Sequence, residues 1–194
     1  MRRTLDIPGG RFSVLEAGEE EMPLVLCLHG FPDHPMSFEG LMGSLAEAGY
    51  RAVAPWMRGY SPSTTEGPFD VGRLVEDVVG LADALAPGAR VALVGHDFGA
   101  MVSYAAASVL GERLACAVTM ALPHPLTFAR NLRAAPSQLL RSRYMALFQL
   151  RGISERMVWR GDFDYIDSLW HRWSPSYQMP EANRARLKSC LLYT

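Results

Sequence analysis

The residues best suited to chemistry fall in three short stretches: His29-Gly30-Phe31-Pro32-Asp33-His34, Arg58-Gly59-Tyr60 and Gly95-His96-Asp97-Phe98-Gly99. Each follows an apolar, strand-like run. In the third, Val91-Ala92-Leu93-Val94 leads into Gly-x-Asp-x-Gly, and a small-residue stretch with helical character follows from Met101 to Leu110. This order predicts a strand, a turn too tight for a Cβ at positions 95 and 99, and a helix. The residue at the tip of such a turn is held in a strained conformation that lifts its side chain above the sheet edge. A carboxylate presented in this way can attack an electrophilic carbon and form an ester. The plainer alternative is a glycine-rich turn with Asp97 as an ordinary helix N-cap.

The surrounding elements must bring these stretches together. Arg2 to Ile7 and Arg11 to Ala17 are β-like segments around Pro8-Gly9-Gly10, a hairpin signal. Pro23 to Leu28 is a continuous apolar run, as expected of a strand buried on both faces. From Ser37 to Ala48, Phe38, Leu41, Met42, Leu45 and Ala46 keep helical spacing, and Gly49 closes the helix. Tyr50 to Pro55 is the next strand. Val71 to Ala86 is an amphipathic helix stopped by Pro87-Gly88, and Ala115 to Leu122 is a further strand ending in Pro123-His124-Pro125. Strands alternating with helices predict an α/β fold with a mainly parallel sheet. In such sheets the site lies at the carboxyl ends of the strands. After Pro125 strand signals stop. Leu126 to Ala134, Ser137 to Leu150, Ser154 to Trp159 and Asp164 to Trp173 read as helices, which divides the chain into 1–124 and a helical region 125–194.

The chain has 194 residues, is 49% hydrophobic and carries a net charge of −1, values that suit a globular chain with a substantial core. The near-neutral balance gives no reason to expect a nucleic acid partner or an anionic membrane surface. No apolar run approaches the roughly 20 residues that span a bilayer, and Met1-Arg2-Arg3-Thr4-Leu5-Asp6 has no apolar core of a secretory signal. Cys27, Cys116 and Cys190 are an odd count, the first two in apolar strand-like runs. They read as reduced, buried thiols of a cytoplasmic protein. No Cys has a Cys or His at ligand spacing, so no metal is expected, and no cofactor is implied.

Taken together, His29-Gly30-Phe31-Pro32, Arg58-Gly59-Tyr60 and Gly95-His96-Asp97-Phe98-Gly99 resemble the α/β-hydrolase superfamily, with Asp97 at its nucleophile elbow. The Asp places the resemblance nearest the epoxide hydrolases and the related dehalogenases. Arg141 to Leu150, with Tyr144 four residues before Phe148-Gln149, resembles the start of the epoxide hydrolase cap. The resemblance implies an α/β-hydrolase fold, a helical cap over 125–194 and a small apolar substrate such as an epoxide. Asp97 would attack a ring carbon, and Tyr144 would polarise the epoxide oxygen. The backbone N–H groups of Phe31 and Phe98 would form the oxyanion hole. His29, Gly30, Pro32, Gly95 and Gly99 would support it, with Phe31-Pro32 cis. His29 would hold the oxyanion loop in shape and Arg58 would tie down its own loop. His96 would point away from the site. His34, His124 and His171 read as loop residues, and the four tryptophans as packing residues or pocket lining.

The chain also departs from that family. Its members continue to later strands bearing an acid and a catalytic His, and carry a second cap Tyr. None of these is found here, so the chain reads as a C-terminally truncated family member whose final residues lack capping logic. Alone, it is expected not to turn over. Haloalkane dehalogenases place Trp after the nucleophile and haloacetate dehalogenases Arg. Phe98 offers neither donor, which leaves a dehalogenase as the second enzymatic reading. A third reading is a non-catalytic relative that binds a small apolar ligand.

Overall fold

The computed structural model describes residues 1–131, 144, 147–150 and 152–191. The chain divides into two compact units, Met1–His124 and Pro125–Leu192. Unit one is built on six strands: β1 (Arg2–Ile7), β2 (Gly10–Ala17), β3 (Leu24–Leu28), β4 (Arg51–Pro55), β5 (Val91–His96) and β6 (Leu114–Met120). They lie in the order β1-β2-β4-β3-β5-β6. The hairpin β1–β2 is antiparallel and β2 joins β4 antiparallel, whereas β4, β3, β5 and β6 run parallel. Three helices connect the parallel strands: α1 (Glu39–Glu47), preceded by a 3-10 turn at Pro35–Phe38, then α2 (Val71–Leu85) and α3 (Phe98–Leu110).

The strand pattern explains why the sheet is covered on both faces. All five residues of β3 and of β4 are buried. Side chains alternate across a strand, so Leu24, Leu26 and Leu28 join Val53 and the apolar faces of α2 and α3 in one core. Val25 and Cys27 join Ala52, Ala54 and Val94 under Phe38 and Met42 in the other. Helix α2 starts where the Asp70 side chain accepts from the Arg73 amide at 3.0 Å, an ordinary N-cap. Helix α1 ends where Gly49 enters the left-handed region at φ +82°. Its Leu41, expected on the apolar face, is exposed, because the helix buries mainly Met42.

Strand β6 corrects an expectation. Its sequence is apolar, but five of its seven residues are exposed, because among the described strands it is an edge. Cys116 is therefore exposed and not a buried thiol, while Cys27 and Cys190 are buried. Burial pushes the Cys27 thiol up to about 12.

Unit two contains α4 (Pro125–Asn131), α5 (Ile153–Trp159), α6 (Asp164–Trp173) and α7 (Glu181–Leu191). Helix α7 was not foreseen. Leu187, Cys190 and Leu191 are buried on it, and Arg184 holds Asp167 of α6 with Nε–Oδ1 at 2.8 Å. The ending that lacks a place in the sequence pattern is thus packed through residue 191. The expected helical stretch at 137–150 lies largely outside the described residues, as do 132–134 of the preceding one and 192–194.

A buried cation ties the antiparallel hairpin to the parallel sheet. Arg51, at the start of β4 and 1% exposed, donates from Nε to Glu16 of β2 at 2.5 Å. Its Nη1 reaches the Glu20 carbonyl at 3.2 Å and the Leu85 carbonyl, at the end of α2, at 2.9 Å. That last contact sets positive charge against the negative end of the helix dipole. Removing one partner leaves a buried charge uncompensated. Arg51→Met should therefore cost about 3–5 kcal/mol, read as a lower urea midpoint at unchanged slope. Adding Glu16→Met should recover part of that loss, because the remaining charge is then gone.

Candidate active site

The turn between β5 and α3 brings the expected residues together through close backbone approach. Asp97 has φ +51° and ψ −116°, a conformation that L residues adopt only when the surroundings impose it. Three glycines make those surroundings. A Cβ on Gly99 would run into the Leu28 carbonyl and lie 2.8 Å from the His29 oxygen. On Gly95 it would strike the Ser103 hydroxyl and lie 2.5 Å from the Gly99 carbonyl oxygen. On Gly30 it would lie 2.5 Å from the Asp97 Cβ and 2.6 Å from Oδ2. Helix α3 is thus pressed onto the ends of β3 and β5, and the 29–34 loop onto the Asp97 side chain.

The side chain of Asp97 does not behave as an ordinary N-cap. The residue occupies the N-cap position of α3 but makes no side-chain cap bond. An ordinary N-cap has extended backbone and accepts from its own helix. Instead, Asp97 Oδ2 accepts from the Phe31 amide at 3.1 Å, a residue 66 positions earlier. Its backbone carbonyl accepts from Ala100 at 3.0 Å and Met101 at 3.3 Å, which starts the helix. Phe98 supplies the first amide of α3, where the intrahelical ladder has no carbonyl to offer. The carboxyl therefore sits at the positive end of a helix, one oxygen held by an amide of a neighbouring loop. The carboxylate is thereby held in one orientation, with its other oxygen not engaged by the Phe31 amide.

The loop carrying Phe31 is itself anchored. His29 is fully buried. Its Nε2 lies 3.2 Å from the Met57 amide, and an amide can only donate, so Nε2 accepts. The proton is therefore on Nδ1, which donates to the Gly30 carbonyl at 2.9 Å. Burial lowers the imidazole to about 4 from its ordinary 6.5, so it stays neutral. The Phe31-Pro32 bond is cis. Asp33 accepts from the His34 amide at 2.8 Å and from the Ser37 hydroxyl. His96 Nδ1 lies 4.0 Å from Asp33 Oδ2, so this histidine faces the loop that presents Phe31. Arg58 grips both oxygens of Asp77 at 2.7 Å and the Glu66 carbonyl at 2.6 Å. The buried Asp77 carboxylate raises the guanidinium further above its ordinary value.

Asp97, Phe31, Phe98, His29, Gly30, Pro32, Gly95 and Gly99 all belong to unit one. Tyr144 belongs to unit two, where its ring lies 6.0 Å from Phe148 and 5.2 Å from Trp173. Elsewhere in unit one, His124 stands edge-on to Tyr104 at 5.0 Å, and Trp56 is buried beneath the Arg2 guanidinium. In unit two, His171, Trp159 and Trp173 are exposed. Asp77 was missed, because it lies on a helix face and no local pattern links it to Arg58; Tyr60 belongs to a motif expected at the site, but no local pattern shows its contact with the Gly30 carbonyl. Among the described residues there is no group of three or more His, Cys, Asp or Glu side chains able to hold a metal ion. No described helix is long and apolar enough to cross a membrane.

A family model for the alpha/beta hydrolase fold matches residues 23–154. The chain belongs to the α/β-hydrolase family. It is 34% identical over 157 residues to the AB hydrolase superfamily protein YfhM of Bacillus subtilis, covering 79% of this chain and 54% of that one. It is 36% identical over 163 residues to epoxide hydrolase A of Mycobacterium tuberculosis, covering 79% and 49%. The crystal structure of the Bacillus megaterium epoxide hydrolase in complex with an inhibitor matches with a TM-score of 0.85 at 26% identity, over 96% of this chain and 66% of that one. The chain spans about half the length of the curated relatives it matches.

Two outcomes follow from this geometry. Gly99→Ala puts a Cβ into backbone that cannot yield, and should cost at least about 1–3 kcal/mol. Gly40→Ala on α1, where a Cβ would meet nothing within 4 Å, should instead stabilise by about 0.5–1 kcal/mol; paired urea melts test both. The second concerns His29. Its folded value is depressed, so between about 4 and its ordinary 6.5 the unfolded chain binds the extra proton. Its contribution is intact above that window and lost as pH falls through it, on the order of 3 kcal/mol. Stability measured across this range should fall with acid, and the slope should flatten in His29→Gln.

Proposed function

We propose that this protein is an epoxide hydrolase-like enzyme in which Asp97 attacks an epoxide ring carbon and forms a covalent ester. The observation that carries this reading is the Asp97 carboxyl at a strained turn, one oxygen 3.1 Å from the Phe31 amide and no cap bond to its own helix. The named relatives that are epoxide hydrolases add support. In the attack, one carboxylate oxygen bonds to carbon, the ring C–O bond breaks, and the oxygen of the ring takes a proton. The Tyr144 hydroxyl is assigned that proton transfer, which spares the leaving oxygen a full negative charge. The second carboxyl oxygen becomes the ester carbonyl, held by Phe31. When water adds to the ester, negative charge develops on that oxygen. The amides of Phe31 and Phe98 then serve as its oxyanion hole. Helix α3 adds its N-terminal dipole to the same charge. The substrate is a small apolar epoxide, and the hydrolysed product a diol.

Phe98 supports this substrate class over halides or haloacids. Its side chain has no polar hydrogen to hold a leaving halide and no charge to pair a carboxylate. The first half-reaction needs only residues within this chain, so it can be tested on the chain itself. Styrene oxide should label Asp97 once per chain, adding the mass of the epoxide to the peptide that contains Asp97. Asp97→Ala should abolish the label and Tyr144→Phe should slow its appearance. Labelling that persists in Asp97→Ala would remove Asp97 from the mechanism.

A further inference from the structure

We propose that Tyr60 is a positioning residue that aims the Phe31 amide at the Asp97 carboxyl through the Gly30 carbonyl. The inference rests on the reading of Asp97 and Phe31 given above, and adds to it the group that sets their alignment. The argument starts from a rigid unit. The carbonyl of Gly30 and the N–H of Phe31 belong to one peptide plane and cannot turn independently. Whatever holds the carbonyl therefore aims the amide.

Two donors converge on that carbonyl: His29 Nδ1 at 2.9 Å and the Tyr60 hydroxyl at 3.4 Å. On the other edge of the plane, the Phe31 N–H points to Asp97 Oδ2 at 3.1 Å. The Tyr60 ring also stands edge-on to the His29 ring, with centroids 4.6 Å apart and planes at 88°. Tyr60 thus acts on the carbonyl twice, by its own hydroxyl and by confining the imidazole that supplies the other donor.

Tyr60 is in turn held from several sides. Its amide donates to the Met57 carbonyl at 3.0 Å, and its carbonyl accepts from Ser63 at 3.0 Å. The Met57 amide is the donor that fixes the His29 tautomer. Gly59 reaches Thr64 at 2.9 Å, Thr64 reaches Arg11 of β2 at 2.8 Å, and the Ser63 hydroxyl accepts from the Ser13 amide at 2.9 Å. Arg58 fastens this loop to Asp77 on α2. The 56–64 segment is a bracket tied to β2 and α2, which meets the site through the Met57 amide on His29 and the Tyr60 hydroxyl on the Gly30 carbonyl.

The reaction gives this bracket a specific effect. Attack on the epoxide uses the oxygen not held by Phe31, so it depends little on the exact aim of the amide. Attack on the ester carbonyl puts charge on the held oxygen, and there misalignment is costly. Loss of one aligned donor lowers such a step about 100- to 1,000-fold. Loosening one of two anchors should cost less, about tenfold.

Tyr60→Phe keeps the ring against His29 and removes only the hydroxyl, so the fold should be retained. In the ligand-free chain carrying 15N-phenylalanine, with the Phe31 resonance assigned through Phe31→Leu, the Phe31 amide proton should move upfield as its bond to Asp97 weakens. After styrene oxide labelling, hydroxylamine attacks the Asp97 ester carbonyl, breaks the bond to the glycol oxygen and releases the diol, leaving a hydroxamate. This cleavage should be faster in the folded wild-type chain than in urea, and about tenfold slower in folded Tyr60→Phe, while the labelling rate stays close to wild type. A merely structural defect would slow both steps together. An unmoved Phe31 proton overturns the positioning role whatever the labelling shows. A moved proton with no label on Asp97 leaves the positioning role standing and removes the nucleophile reading instead. A moved proton with unchanged hydroxylamine cleavage overturns the catalytic consequence. Tyr60→Leu, which also frees the His29 ring, should displace the proton further than Tyr60→Phe.

Discussion

The close approach of α3 to the ends of β3 and β5 is the constraint on which the site depends. Side chains at positions 95 and 99 would push the helix off the sheet, and one at 30 would push the loop off Asp97. With the helix seated, the chain must reverse within a single residue, and Asp97 takes the left-handed conformation that this requires. Such a residue costs on the order of 1–3 kcal/mol. The burial that offsets it lies in the same elements. Ala100, Val102 and Ala106 of α3 are fully buried, and β3 and β5 are neighbouring interior strands of a sheet packed on both faces. Strain at the tip is therefore tolerated because the strand before it and the helix after it cannot relax.

A second layer of organisation works through buried charge. Arg58 and Asp77 are both nearly inaccessible. A buried pair of this kind adds little net stability over a well-packed apolar pair, because both ions lose their hydration. What it supplies is direction: a guanidinium fork meets a carboxylate in one orientation, so the loop that bears Tyr60 takes one position relative to α2. Arg51 does the same between β2, β4 and the end of α2. Both arginines link parts of the chain far apart in sequence, one joining the hairpin to the sheet and the other a loop to a helix.

Much of this was legible in the sequence because the signals were local. The unbroken apolar run at 24–28 announced a strand buried on both faces, and the run at 91–94 a strand leading into the turn. The glycines at 95 and 99 announced a turn without room for Cβ, and the three motifs at successive strand ends announced a shared site. The illegible parts were those set by partners distant in the chain. Nothing around Tyr60 reveals that its hydroxyl meets the Gly30 carbonyl, and nothing around Asp77 reveals Arg58. Cys116 has the neighbours of a buried strand, yet it is exposed, because exposure depends on strand order and not on local pattern. The helix at 181–191 has a weak apolar stripe; its place comes from packing and from the Arg184 contact with Asp167, which no period could show.

The protonation state of His29 shows how burial and geometry support one another. A charged imidazole would carry hydrogens on both nitrogens, and Nε2 could no longer accept from the Met57 amide. That amide would be left buried and unpaired, and the bracket at 56–64 would lose its tie to the ring. Burial keeps the ring neutral, neutrality keeps Nε2 an acceptor, and the acceptor fixes which nitrogen donates to Gly30. The same low-polarity surroundings that would penalise a charge thus determine a tautomer, and the tautomer helps orient a peptide plane. The direction of one amide beside Asp97 is in this sense a consequence of core packing.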